Sequence, residues 1–201
     1  MTLISSPILD QAGFIKHKAA VVVEQWVAQL DGAMQYWKLT KPVTVSASGG
    51  WLELDVAAGT VDWSTIISGY TDSLSRAVEL RKNGVSGNCE LIGMPSGVYF
   101  YFDNILIENG VTPWPNENVK LKIVNNSSEI IYYRELCIRR SDTPTAPIEG
   151  YVKNLAIYDE NDNLINEIPL NNKAQGATQL ATVGSVNASM PNYTDAVWRK
   201  P

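Results

Sequence analysis

The sequence predicts an all-β protein, an antiparallel two-sheet sandwich or jelly roll preceded by a short N-terminal arm. Three observations carry this. The 14 glycines and 10 prolines fall at turn-like positions. Short segments rich in Val, Ile, Tyr and Trp recur roughly every ten residues, and no long stretch holds helical periodicity. Helix is therefore expected in under about a tenth of the chain, against ~30–35% in ordinary globular proteins.

In chain order the expected strands are 20–26, 34–39, 51–56, 64–68, 76–82, 90–93, 98–102, 105–108, 119–125, 130–139, 150–158 and 164–168. Several alternate cleanly. In 51–56, Leu52, Leu54 and Val56 share one face while Trp51, Glu53 and Asp55 share the other. In 119–123, Lys120 and Lys122 face out and Val119, Leu121 and Ile123 face in. Such alternation marks antiparallel strands with one wet face. Asn83-Gly84 and Asn109-Gly110 read as hairpin turns, because both central residues of a type I′ turn need positive φ. Asp31-Gly32 and the run from Asp159 to Asn163 also read as turns. About twelve short strands joined this way make a sandwich or jelly roll.

The ends differ from the middle. Residues 1–19 form the arm and 20–201 the jelly-roll domain. Leu3, Ile4, Ile8, Leu9, Phe14 and Ile15 are too apolar to float free in water, yet their spacing offers no internal strand partner. At roughly 1.5–3 kcal/mol for each buried side chain, they are expected to anchor the arm on another chain. Residues 171–176 are a polar loop rich in Asn, and the stretch from 177 to 201 carries weak pattern, closing with Val197-Trp198.

Composition narrows the function. A net charge of −5 and scattered basic residues argue against a phosphate-backbone partner, so no nucleic acid is expected. Asp10 and the Lys16-His17-Lys18 cluster interrupt any leader-like stretch. No run approaches the ~20 apolar residues of a membrane span. The chain is accordingly expected to be made without an export signal and without membrane insertion. Cys89 and Cys137 lack metal or redox spacing and sit in apolar strands, as buried free thiols do.

Three segments carry a family resemblance. The stretch Leu30-Asp31-Gly32-Ala33-Met34-Gln35-Tyr36-Trp37-Lys38-Leu39 resembles the opening strand of concanavalin A-like (laminin-G-like) jelly rolls. Residues 148–159, from Ile148 through Gly150-Tyr151-Val152 to Tyr158-Asp159, are similar to a late strand of the same families. The segment 164–170 and the closing Trp198 resemble versions carried by bacteriophage structural proteins. The likeness spans roughly 25–200, and it implies fold more than function, since this fold hosts lectins, glucanases and purely structural modules.

Catalytic parts are scarce. Glu53 and Asp55 project from one strand face, as paired glycosidase carboxylates would, and resemble the start of a laminarinase-type E-x-D-x-x-E motif. The place of the third carboxylate is taken by Ala57 or Ala58, so the proton donor is missing and a solvated strand face is expected. His17 is the single histidine, and neither a nucleophile elbow nor a Gly-rich phosphate loop occurs. Asp159, Asn161 and Asn163 have calcium-like spacing, but Leu164 and Leu170 stand where the loop would need Gly and Glu, so a turn is expected. No metal and no cofactor is called for. The six tryptophans and nine tyrosines are the function-like resource. Sugars lay C–H faces on exposed aromatic rings, and Trp63, Tyr70, Trp114 and Tyr133 are the carbohydrate-binding candidates, with Trp26 and Trp37 read as core and Trp114 balanced between the two roles.

The resemblance implies a non-enzymatic bacteriophage virion protein, a tail-fibre, baseplate or capsid-surface decoration component assembled in the host cytoplasm. Its expected partners are other virion proteins, copies of itself in a homo-oligomer with the trimer favoured, and a host-surface glycan. The alternative is a bacterial carbohydrate-active enzyme or binding module of the glucanase type, working through Glu53 and Asp55.

Overall fold

The computed structural model describes residues 7–9, 15–17, 25–32, 35–59, 62–71, 77–138 and 147–201. Its strands are β1 (Pro7–Leu9), β2 (Ile15–His17), β3 (Val27–Ala28), β4 (Leu30–Asp31), β5 (Trp37–Val45), β6 (Gly50–Ala58), β7 (Thr65–Thr71), β8 (Ala77–Lys82) and β9 (Cys89–Ile92). They continue with β10 (Val98–Phe102), β11 (Ile105–Leu106), β12 (Val119–Asn125), β13 (Ile131–Leu136), β14 (Glu149–Tyr158), β15 (Leu164–Ile168), β16 (Thr178–Gln179), β17 (Ala188–Ser189) and β18 (Trp198–Arg199). Two three-residue 3₁₀ turns, Lys173–Gln175 and Asp195–Val197, are the helical pieces among the described residues. The protein is all-β and antiparallel.

Two sheets of seven strands dominate. The first runs β11-β10-β12-β6-β14-β15, with β4 also against β14; the second runs β16-β17-β5-β13-β7-β8-β9. Two ribbons, β1–β2 and β3–β18, lie outside them, so the plain two-sheet expectation is exceeded. The β1–β2 ribbon also corrects the expectation that the arm has no strand partner: Ile8 pairs with Lys16 in the backbone register. The arm's side chains, most of the expected 20–26 strand, and the first residue of 34–39 lie outside the described residues.

Alternation did the work the sequence suggested. Leu52, Leu54 and Val56 of β6 are fully buried, and Leu121 and Ile123 of β12 meet Leu54 and Leu52 across the ladder. From the other large sheet come Trp37, Leu39, Ile67, Leu80, Ile131 and Tyr133, and all belong to one hydrophobic core. Both thiols are free and buried; desolvation pushes Cys89 up to about 12 and Cys137 higher still, so neither is a nucleophile at neutral pH.

Asn125, fully buried at the end of β12, ties the first sheet to the second. Its amide nitrogen donates to the Val45 carbonyl at 3.0 Å and to the Glu129 carbonyl at 2.8 Å. Its amide oxygen accepts from Ser127 N at 3.1 Å and from Ser127 Oγ at 2.6 Å. Gly150 holds the opposite end of the first sheet, pairing with Ala58 on one side and Leu30 on the other. Its φ is +137°, and a Cβ there would run into the Ala57 carbonyl.

The turns differ in chemistry from expectation. Neither Asn-Gly pair forms a two-residue hairpin. Asn83 instead accepts from Val85 N and Ser86 N through its side chain, and Gly87 supplies the positive φ of a longer loop. Asn109 accepts from Leu91 N, with Gly110 at φ 75°. The two-residue hairpin is Asp103-Asn104, with φ 47° and 67°, between β10 and β11. Both Asp and Asn tolerate the left-handed region, so glycine was not needed.

Candidate functional site

The four aromatic candidates do not converge. Trp114 and Tyr133 are buried in the core and offer no ring face to a sugar, which corrects their assignment. Tyr133 faces inward because it pairs with Gly69 on the core side of β7, where the glycine leaves room for the ring. Its hydroxyl has no hydrogen-bond partner among the described residues, and desolvation holds its pKa far above the ordinary tyrosine value. Removing a buried unpaired hydroxyl relieves a desolvation penalty of about 1 kcal/mol or more. Tyr133→Phe is therefore expected to raise stability by about 1 kcal/mol in urea unfolding, and a loss of that size would reveal an acceptor.

Trp63 and Tyr70 reach the surface but stand at opposite ends of β7. Trp63 is 44% exposed on the turn before β7, with φ 57° and the Arg81 guanidinium 5.6 Å from its ring. Tyr70 is half-buried and stacks on Tyr132 of β13, ring centres 5.1 Å apart. Seven residues of strand rise span ~23 Å, too far for one sugar ring.

The outward face of β6 is a charge network. Lys120 Nζ lies 3.1 Å from Asp55 and 3.5 Å from Glu53, and Asn154 donates its amide to Asp55 at 2.7 Å. Partial burial pulls the Lys120 pKa down, but the hydrogen bond and charge of Asp55, helped by Glu53, outweigh it and leave it raised. Further along this face Trp51 is enclosed. Tyr158 of β14 stacks on it at 3.7 Å, Lys122 of β12 stands 4.0 Å from its ring centre, and its indole N–H donates to Asp162 at 2.9 Å. The run from Asp159 to Asn163 is a turn: the Asp159 carboxylate accepts from Asn161 N, Asn163 N and the Asn163 amide, which lower its pKa.

On the second sheet, the register sets Glu79, Ser68 and Glu135 side by side on β8, β7 and β13. Ser68 Oγ donates to Glu79 at 3.0 Å, and both residues are fully buried. A polysaccharide has no access to the Ser68–Glu79 pair.

An amide-lined concavity lies elsewhere. A cleft of about 490 Å³ is lined by Gln25, Trp26, Lys153, Asn154, the loop Asn171-Asn172-Lys173, and Ala174. A bulge builds one wall. The β6–β14 register shifts between Lys153 and Ala156, with Asn154 at φ 55° and its N–H on the Pro169 carbonyl at 2.9 Å. Such a bulge re-aims side chains at a sheet margin. Trp26, expected in the core, packs against it on one side and borders the cleft with the rest of its ring. Lys173 Nζ stands 3.8 Å from the Trp26 ring centre and Lys200 Nζ 5.3 Å from it.

Comparison of the chain with family models, curated proteins and solved structures finds no match. Function therefore rests on the sequence and on the geometry above.

Proposed function

We propose that this protein is a non-enzymatic structural module of a bacteriophage virion, built as a concanavalin A-like jelly roll, that binds a saccharide of the host surface. One observation carries the non-enzymatic part. The strand-face carboxylates that could flank a glycosidic bond, Glu53 and Asp55, close around a single ammonium, Lys120. A glycosidase needs its two carboxyl groups on either side of the substrate, one of them giving up a proton. Here they grip a lysine instead. The saccharide part rests on the cleft beside Trp26, since several amide side chains converging on one concavity are what sugar hydroxyls require. The virion part rests on the three stretches of sequence resemblance.

Two measurements test the proposal. The chain is expected to release no reducing sugar from β-glucans, and Glu53→Gln is expected to leave that result unchanged. An antibody to the chain is expected to label purified phage particles at a fixed position. Sugar release lost in Glu53→Gln would instead establish the glucanase-type alternative. Unlabelled particles would remove the virion role.

A further inference from the structure

We infer that the Trp26 cleft takes an acidic saccharide, a sugar whose carboxylate sits at Lys153 and Lys173 while the amides of the cleft meet its hydroxyls. The inference rests on the saccharide reading above and adds the charge class of the ligand.

The lining is the first support. The chain carries a net charge of −5, yet among the described residues this cleft is bordered by two lysines, four amide side chains and no carboxylate. Neither Lys153 nor Lys173 forms an ion pair among the described residues, whereas Lys82 and Lys120 each do. Asp55 stands opposite Lys153 across the β6–β14 ladder and accepts from the Asn154 amide, and its charge is answered by Lys120 at 3.1 Å. An anion entering the cleft meets two lysines that form no ion pair among the described residues, with the Asp55 carboxylate beside Lys153 already bound to Lys120.

Positioning is the second support. A lysine ammonium on a flexible stem loses rotamer freedom when it binds, which weakens it as a ligand. Here the Trp26 indole holds the Lys173 ammonium 3.8 Å from its ring centre, with Lys200 at 5.3 Å. Lys153 is carried by the rigid strand β14, beside the Asn154 bulge. The loop that bears Lys173 is itself fixed: Asn172 N donates to Gln179, whose amide returns hydrogen bonds to the Asn172 and Gly176 carbonyls. The cations therefore stand near the cleft before any ligand arrives. A simple anion would need only the lysines; four amides beside them suit a ligand that also bears hydroxyls.

The test uses immobilised saccharides in pairs that differ by one carboxylate: glucose and glucuronate, galactose and galacturonate, mannose and mannuronate. The intact chain is expected to bind at least one acidic member about tenfold or more tightly than its neutral twin, as one to two charge-assisted contacts allow. Raising the salt is expected to erase that preference. Lys153→Gln with Lys173→Gln, checked for unchanged melting, is expected to reduce the acidic sugar to the level of the neutral one. Asn171→Asp, which places a carboxylate in the cleft, is expected to do the same. Equal binding of both twins would overturn the charge assignment and leave the saccharide reading standing. Acidic binding that survives both sets of substitutions would overturn the location. Competition by acetate as effective as by the sugar would reduce the site to one for simple anions and overturn the inference. Binding to no member of any pair would overturn the saccharide reading, and this inference with it.

Discussion

Gly150→Ala is expected to destabilise the fold by about 3–4 kcal/mol, near the upper end for a single substitution. The added methyl is small, but its surroundings cannot give way. Gly150 sits between Ala58 of β6 and Leu30 of β4, so its backbone is fixed on both sides. At φ +137° an L-residue is strained wherever it is placed, and the Cβ would meet the backbone carbonyl of Ala57 rather than a movable side chain. Relief requires β14 to leave β6, the most extensively paired strand of the first sheet. For a domain of this size, where 1 kcal/mol moves the melting midpoint by ~2–4 °C, the loss should appear as a fall of roughly 10 °C. A variant that melts within ~2 °C of the parent would show that the sheet shifts here at little cost.

Asn125→Ala is expected to cost about 3 kcal/mol or more, although it removes no hydrophobic contact. The side chain satisfies the carbonyls of Val45 and Glu129 and both the N–H and hydroxyl of Ser127. Truncation leaves these partners without their hydrogen bonds in a buried site, where each unmet group costs ~1–3 kcal/mol unless water enters. Because Val45 belongs to β5 and Asn125 to β12, the loss also loosens the seam between the two large sheets. Urea unfolding of Asn125→Ala beside Asn125→Asp separates the contributions. The aspartate keeps the acceptor for Ser127 but turns a buried carboxylate oxygen toward the two carbonyls, so at neutral pH it is expected to be no more stable than the alanine variant. Parent-like stability of the alanine variant would mean that water fills the gap without loss.

Much of the strand pattern was legible. The expected strands at 98–102, 119–125 and 164–168 coincide with β10, β12 and β15, because one buried and one wet face impose a period of two that survives in the sequence. Breaks in that period were not legible. β5 runs on to Val45 through Pro42, where the expected strand stops at 39. The proline is tolerated because the β5–β13 register jumps between Val43 and Lys38, so no ladder bond is asked of it. In β14, the bulge at Asn154 changes phase and buries Leu155, Ala156 and Ile157 consecutively, which no alternating template anticipates. The Asp103-Asn104 hairpin was hidden because the favoured signal contains glycine. The candidate cleft was hidden for another reason: its walls come from residues 25–26, 153–154 and 171–174, polar segments that carry no shared pattern. Only the pairing of the sheets brings them together. Of the aromatic candidates, Trp63 and Tyr70 are accessible and Trp114 and Tyr133 are not, since composition counts rings without saying which way they face.

The sheet order also sets when this chain can fold. β6 has no neighbour in its sheet that is adjacent in sequence; its partners are β12 and β14. β5 likewise waits for β13 and β17. Each pairing closes a long loop before it gains its ladder, the kind of non-local topology that folds in milliseconds to seconds rather than microseconds. On a ribosome, β5 and β6 emerge before their partners with their apolar faces unmatched, and β6 completes its ladder only after β14 has been made. Until then those faces are the stretches most exposed to wrong pairing, within the chain or with a neighbouring nascent copy.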